Sequence, residues 1–179
     1  TTATLDGCEI LNSEGNQGSG SSASAILFSN GGTYSMRNCL VDGAYSEKNT
    51  YSVVYFSATS GSLDLDNLTV VNCKGAHQTL VRGANNNLIS IRNSKLANNN
   101  MSRFNEYQTA ALFFVAKNGK LIVEQTIIAN NTFADQFVRD FDVTANTTIN
   151  YCNIYDNSNY THYKDATYNL EANYWGSKL

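Results

Sequence analysis

Three stretches of the chain fit one template: TYSMRNCLVDG at residues 33–43, LISIRNSKLAN at 88–98 and KLIVEQTIIAN at 120–130. The template also fits residues 62–72, residues 147–156 and the start of the chain up to Asn12. In each copy apolar residues alternate with polar ones, which predicts a strand with one buried face, and a second short strand follows. Repetition of such a unit along the whole chain indicates a solenoid.

One position in each copy can be used as a reference column, whose members are Cys8, Cys39, Leu68, Ser94, Thr126 and Cys152. The intervals between successive members are 31, 29, 26, 32 and 26 residues. The column three residues earlier is entirely apolar: Leu5, Met36, Leu65, Ile91, Val123 and Ile149. The column two residues later is apolar as well: Ile10, Val41, Val70, Leu96, Ile128 and Ile154. We therefore expect successive coils to stack in register, with both columns in the core.

Two further columns predict how the coils meet solvent and turn. Two residues before the reference, the charge mostly alternates: Asp6, Arg37, Asp66, Arg92, Glu124 and Asn150. Neighbouring coils lie about 4.8 Å apart, so we expect exposed ion pairs worth about 0–1 kcal/mol each. Four residues after the reference come Asn12, Gly43, Asn72, Asn98, Asn130 and Asp156. This turn column predicts left-handed backbone and amides that stack between coils as an asparagine ladder.

A third apolar strand precedes each template copy, at residues 25–28, 53–56, 79–81, 112–115 and 137–138. Three short strands per repeat predict an all-β, right-handed, single-stranded parallel β-helix of about six to seven coils. We expect residues 1–179 to form one domain, cut from a longer chain. Residues 166–177 form a closing coil, in which Trp175 falls on the second core column and covers the end of the core.

Composition excludes several classes of function. The net charge is −3 and charged residues make up only 15% of the chain, so a nucleic-acid partner is not expected. The chain contains no run of 18 apolar residues, so it has no predicted membrane span. The four cysteines form no C-x-x-C pair, which argues against a zinc site, and we expect no cofactor. Cys8 and Cys39 lie in neighbouring coils and could form a disulfide; free, stacked thiols are the alternative.

The repeats, the turn column and the closing Asn173-Tyr174-Trp175-Gly176-Ser177 resemble the β-helix domains of large surface proteins. Among such proteins, the chain is similar to polymorphic outer-membrane-type proteins and to the adhesin-like proteins of methanogens. The resemblance covers essentially the whole chain, although its motifs are degenerate. It implies an extracellular or cell-surface location and a role in adhesion or surface display. It supplies no catalytic residues, and a fold by itself does not assign a function.

Insertions of variable length follow the turn column, and insertions along one edge of a solenoid often form its binding surface. Aromatic and histidine side chains in these insertions are our candidate binding residues: Tyr45, Tyr51, Phe104, Tyr107, Phe133, Tyr160, His162 and Tyr163. They suit a polysaccharide, or a surface protein of a host or neighbouring cell. The competing interpretation is that these rings fold under their loops and pack on the solenoid. End-to-end self-association is compatible with the strand edges of the first coil.

Sequons in predicted loops make Asn100, Asn146 and Asn159 candidates for glycosylation. Two other functions stay open beside the recognition module: a structural stalk or spacer, and a fragment of a polysaccharide lyase or hydrolase. Hydrolysis needs two carboxylates across a cleft, and the pairs are Asp64 with Asp66 and Asp140 with Asp142. Arg139 beside the second pair would suit a calcium-assisted elimination. Neither pair forms a full catalytic set, so we assign no catalytic residue and favour binding over catalysis.

Overall fold

The computed structural model describes residues 1–15, 23–101, 110–140, 143–158 and 167–176, with the backbone alone for residues 47–50, 76–78 and 140. Within these ranges every regular element is a strand, and none is a helix able to span a membrane. The strands are β1 (Thr2–Asp6), β2 (Glu9–Leu11), β3 (Ala23–Phe28), β4 (Gly32–Arg37), β5 (Leu40–Asp42), β6 (Tyr45–Phe56), β7 (Gly61–Asp66), β8 (Thr69–Val71), β9 (Lys74–Gly83), β10 (Asn87–Arg92), β11 (Lys95–Ala97), β12 (Asn100–Met101), β13 (Ala111–Val115), β14 (Lys120–Glu124), β15 (Ile127–Ala129), β16 (Thr132–Phe133), β17 (Gln136–Asp140), β18 (Asn146–Asn150), β19 (Asn153–Tyr155), β20 (Thr167–Asn169) and β21 (Tyr174–Trp175).

The strands form three sheets, and neighbouring strands within each sheet are parallel. Sheet 1 has the order β1-β4-β7-β10-β14-β18-β20, and sheet 2 has the order β2-β5-β8-β11-β15-β19-β21. Sheet 3 contains β16-β12-β9-β13-β17, with β6 pairing to β9 and β3 pairing to β6. The chain visits the sheets in turn, so each strand pairs with its counterpart one coil away. The predicted all-β parallel solenoid is confirmed, while its handedness and coil number stay predictions.

The core has the register that the repeat predicts. In sheet 1, Met36 pairs with Leu65, Leu65 with Ile91, and the column continues through Val123 to Ile149. All five side chains are 0% exposed. In sheet 2, the equivalent column is also 0% exposed at its inner members, Val41, Val70, Leu96, Ile128 and Ile154. The period of two residues per strand face thus determined both columns correctly.

Sheet 3 completes the core with the five predicted apolar segments, which lie in β3, β6, β9, β13 and β17. Its inward column pairs Val54 with Val81, Val81 with Phe113, and Phe113 with Val138. The Phe113 ring packs edge-on against Phe137, with 5.9 Å between ring centroids. The closing strand is in register too, since Trp175 pairs with Ile154 and packs against the core.

Each coil bends twice between sheet 1 and sheet 3, and each bend is made by a residue with positive φ. The predicted turn column has φ angles between 49° and 70° from Asn12 to Asp156. A second column, one residue before the reference, has the same conformation. It contains Gly7, Asn38, Asn67, Asn93, Gln125, Tyr151 and Ala172. Asparagine is common in both columns because it tolerates left-handed backbone better than other residues with a Cβ atom.

The buried amides that bridge coils belong to the residue after the turn column, which corrects our expectation for Asn98 and Asn130, whereas the exposed Asn72 amide of the turn column donates to Asp42 of the neighbouring coil at 2.8 Å as expected. Asn99, Asn131 and Asn157 are buried, whereas the turn-column asparagines are exposed. The Asn131 Oδ1 accepts the Asn99 backbone N–H at 3.1 Å, and the Asn131 Nδ2 donates to the Leu96 carbonyl at 2.9 Å. In the same way, Asn99 accepts the Cys73 N–H and donates to the Val70 carbonyl. Asn157 accepts the Asn131 N–H and donates to the Ile128 carbonyl. Each amide therefore caps the bend of the preceding coil.

The reference column performs the same task at the other bend. The Ser94 Oγ accepts the Leu68 backbone N–H at 3.1 Å, and the Thr126 Oγ1 lies 3.4 Å from the Ser94 N–H that it accepts. In the closing coil Asn173 accepts the Cys152 N–H at 2.9 Å and donates to the Ile149 carbonyl. Small polar residues recur in this column because they satisfy backbone groups that a bend leaves without a strand partner.

The charged column is in register, but its ion pairs differ from those expected. Only Arg92 and Glu124 pair within the column, at 3.7 Å, whereas Arg37 reaches Asp64 at 3.9 Å. Asp6 and Asp66 instead accept hydrogen bonds at 2.8 Å from the amides of Asn38 and Asn93. Long, exposed contacts of this kind contribute little to stability, so the column mainly keeps the outer face of sheet 1 hydrated.

The four cysteines are free thiols, and three of them are buried. Cys8 is half-buried, and Cys39, Cys73 and Cys152 are buried at the bends. Burial raises the pKa of Cys73 to about 11 and that of Cys152 to about 11, from an ordinary value of 9.0. The Cys152 thiol donates to the Asn150 carbonyl two residues earlier, at 3.2 Å, and the hydroxyls of Ser94 and Thr126 donate to the Arg92 and Glu124 carbonyls in the same way.

Replacing Asn131 with alanine should lower the free energy of unfolding by about 3 kcal/mol, because a buried N–H and a buried carbonyl of the preceding coil lose their partner. The matched control is Asn130→Gly, at the exposed neighbour, for which we expect a change of less than about 0.5 kcal/mol. Urea denaturation followed by circular dichroism measures both. Equal effects of the two substitutions would contradict the assignment of the cap to Asn131.

Alkaline pH should destabilise the protein through its buried thiols. Between pH 9.0 and about 11 the unfolded thiols ionise, while Cys73 and Cys152 in the folded state remain protonated. The unfolded state then binds fewer protons, so stability falls as the pH rises through this window. The urea midpoint should fall less steeply with pH in the double variant Cys73→Ala/Cys152→Ala. Parallel curves would show that other groups, such as tyrosines, carry the whole effect.

Candidate functional site

The outer face of sheet 3 carries one column of aromatic and cationic side chains. Tyr55 pairs with Arg82, Arg82 with Phe114, and Phe114 with Arg139, on the successive strands β6, β9, β13 and β17. Their neighbours in the sequence, such as Val54 and Val81, belong to the core, and the period of two turns this column away from it. We call these four residues the outer column.

Arg82 is held between aromatic rings. Its guanidinium carbon lies 4.0 Å from the centroid of Phe114 and 4.2 Å from that of Tyr51, with Tyr55 at 5.4 Å. Tyr51 and Tyr55 contact each other edge-on, with 5.7 Å between their centroids. Cation–π contacts of this kind are worth more when they are shielded from water. The rings therefore fix the guanidinium in one orientation.

The second arginine of the column stacks on the same phenylalanine. The guanidinium carbon of Arg139 lies 5.6 Å from the Phe114 centroid. Burial lowers the pKa of Arg82, and the nearby Tyr55 and Tyr51 act in the opposite direction. Burial also lowers the pKa of Arg139, with a further contribution from the charge of Arg82. An arginine stays protonated in spite of such shifts, so this face is cationic in a chain of net charge −3.

A surface depression of about 340 Å³ opens beside the Arg82 guanidinium. Its walls include the rings of Tyr51, Tyr55 and Phe114, and its polar groups include Thr59 and Asn85. A volume of this order suits a small organic group such as one sugar residue. The arrangement combines a fixed cation, ring surfaces and neutral hydrogen-bonding groups. It can bind a ligand, but among the described residues it presents no nucleophile or acid–base pair.

The structure places three of the eight predicted binding residues. Tyr51 lines the depression, and the ring of Tyr45, in β6, lies 6.0 Å from the Lys74 ammonium. Phe133 is only 3% exposed and packs on Phe137 in the core, so it presents no face to a ligand. For Phe133 the structure thus agrees with the competing interpretation, a ring packed on the solenoid. Phe104, Tyr107, Tyr160, His162 and Tyr163 lie outside the described residues.

Two of the three candidate glycosylation sites are in strands instead of loops. Asn100 begins β12 and is exposed, whereas Asn146 begins β18 and is half-buried. Asn159 lies outside the described residues. The loop positions expected for Asn100 and Asn146 were wrong because the strand of the following sheet begins soon after each turn. Modification of these residues stays a prediction.

The first pair of carboxylates considered for catalysis lies on the outer face of sheet 1, beside charged and amide side chains of neighbouring strands. Asp64 lies 3.9 Å from Arg37, and Asp66 accepts the Asn93 amide. Asp142 lies outside the described residues, and of Asp140 only the backbone is described. Among the side chains that are described, no three from His, Cys, Asp and Glu come close enough to hold a metal ion.

Sequence reasoning missed Arg82, Tyr55, Phe114 and Arg139 as a group, although a signal was present. Val81-Arg82 and Val138-Arg139 occupy equivalent positions in two repeats of the third strand. The apolar residues that define the third strand end at Val81 and Val138, directly before the two arginines. A column alignment of sheet 3 would have brought the two arginines into one line with Tyr55 and Phe114.

The geometry of the outer column is the basis for assigning a function, since comparison adds no relative from which to infer one. Searches against protein-family models, curated proteins and solved structures give no match to this chain.

Proposed function

We propose that this chain is a recognition module of an extracellular or cell-surface protein, similar in role to adhesin domains, and that it binds a carbohydrate polymer. The observation that carries the proposal is the Arg82 guanidinium held between Tyr51 and Phe114 at the wall of a depression. Ring faces, a fixed cation and neutral amide and hydroxyl groups are the contacts that a sugar residue uses.

The scaffold favours binding because it keeps this constellation rigid. Tyr55, Arg82, Phe114 and Arg139 each lie on a paired strand, and their neighbours in the sequence are packed in the core. A site built on strands retains its geometry better than one built on loops, so little ordering entropy is lost when a ligand binds. Tyr51, which lies within an insertion predicted to bind, connects the outer column to that edge of the solenoid.

A stalk or spacer is the second candidate, and the in-register stacking of three parallel sheets favours it. Such stacking produces a stiff rod whatever its outer face carries. A spacer, however, has no use for a shielded arginine beside a depression, which costs desolvation of the charge. The two functions therefore differ in whether changes at Tyr51 alter binding.

We expect the Tyr51→Ala variant to lose about tenfold in affinity for a retained polysaccharide, because one wall of the depression and one face of Arg82 become open. The measurement is affinity electrophoresis against a panel of neutral and acidic cell-wall and host polysaccharides. Tyr151→Ala is the matched control, since Tyr151 is 69% exposed and lies at a bend far along the chain. Retention that Tyr51→Ala leaves unchanged would exclude this site, and no retention at all would favour the spacer.

A further inference from the structure

We infer that the outer column recognises an acidic polysaccharide, whose uronic-acid carboxylates bind Arg82 and Arg139. The inference rests on the proposed function and narrows it to one class of ligand. Three features support it: the aromatic rings that cover Arg82, the spacing of the two arginines, and the uncharged groups that line the depression beside Arg82.

Aromatic rings limit the part of Arg82 that a ligand can reach. Phe114 and Tyr51 lie 4.0 Å and 4.2 Å from the guanidinium carbon, so aromatic rings occupy the positions in which a ligand ring would stack on it. A guanidinium offers its five N–H donors in its own plane, in a fork that matches a carboxylate with two parallel hydrogen bonds. Arg82 makes one side-chain hydrogen bond with Tyr55 and its Nε atom is buried, so its remaining terminal N–H donors are the groups that a carboxylate would bind. A neutral hydroxyl would use the same donors less well.

The two cations of the outer column are spaced along the solenoid by the strands that carry them. Arg82 on β9 and Arg139 on β17 are separated by one strand, β13, so two strand spacings of about 4.8 Å place them roughly 10 Å apart along the solenoid axis. Two carboxylates on one polymer chain that runs along the axis could meet both arginines. A repeating anionic polymer fits this arrangement better than a single small anion, which could reach only one of them.

The other residues in register with the two arginines are uncharged. In register with the two arginines stand Leu27, Tyr55 and Phe114, so the column contains no acidic side chain to repel a polyanion. Leu27 is 42% exposed and extends the apolar surface towards the first coils. Thr59 and Asn85 supply neutral partners for hydroxyl groups at the wall of the depression. A sugar ring with a carboxylate uses all of these groups, whereas an acidic peptide leaves the hydroxyl partners unused.

The test compares polygalacturonate with its carboxyl-reduced, neutral counterpart by affinity electrophoresis of the whole chain at low and high salt. We expect the wild type to bind the acidic polymer at least about tenfold more tightly. Arg82→Gln and Arg139→Gln should each remove most of that preference. Arg82→Lys keeps the charge but loses the planar fork, so it should also bind weakly. Arg37→Gln is the matched control, because it removes one exposed arginine from sheet 1 and should leave the preference intact.

The outcomes separate this inference from the function on which it rests. Equal binding of both polymers, abolished by Tyr51→Ala, would overturn the acidic ligand and retain the carbohydrate module. Loss of the preference in Arg37→Gln would show a general charge effect and overturn the site. Displacement of the polymer by poly-glutamate at equal carboxylate concentration would overturn a sugar in favour of an acidic peptide. Should Arg82→Gln fail to unfold cooperatively, Arg139→Gln and the two-polymer comparison still decide the question.

Discussion

The structure depends on the capping of its bends, between Leu68 and Cys152, by side chains from the next coil. A solenoid strand must turn through a left-handed residue, and the backbone groups beside that residue then lose their strand partners. Asn99, Asn131 and Asn157 satisfy one such group of each kind, an N–H and a carbonyl of the preceding coil. Because the cap comes from the following coil, a coil is complete only when its neighbour is stacked on it. Local folding and long-range stacking are thus the same event in this protein.

The caps have a direct consequence for the candidate site. Asn99, Asn131 and Asn157 cap the bends that lead from sheet 2 into sheet 3, so the strands that follow these bends enter sheet 3 in a fixed register. Tyr55, Arg82, Phe114 and Arg139 come into line only because β6, β9, β13 and β17 pair residue for residue. A shift of one strand by a single residue would turn its member of the outer column into the core. The asparagines thus position the binding residues without touching them.

Most of the fold could be predicted from the sequence, because a period of two within strands and a repeat of 26–32 residues between them are both visible in one chain. Which asparagine caps a bend could not be predicted, as Asn130 and its neighbour Asn131 show. Asn130 and Asn131 are chemically identical, and only the direction of each side chain, exposed or buried, tells which one caps a bend. The pairing of Arg37 with Asp64 instead of Asp66 also depends on side-chain direction, because a long side chain can reach diagonally across a sheet face.

The outer faces of sheet 1 and sheet 3 contain the same residue, arginine, in different surroundings, and the difference separates a structural column from a functional one. On sheet 1, Arg37 and Arg92 stand next to carboxylates on neighbouring strands, and their charges are balanced and hydrated. On sheet 3, Arg82 and Arg139 stand on either side of Phe114, partly desolvated and close enough that one lowers the pKa of the other. Desolvating two like charges opposes folding. Sheet 3 thus combines cations with aromatic rings beside a depression, and this combination, which the alternating charges of sheet 1 do not provide, is the reason to place the binding function on sheet 3.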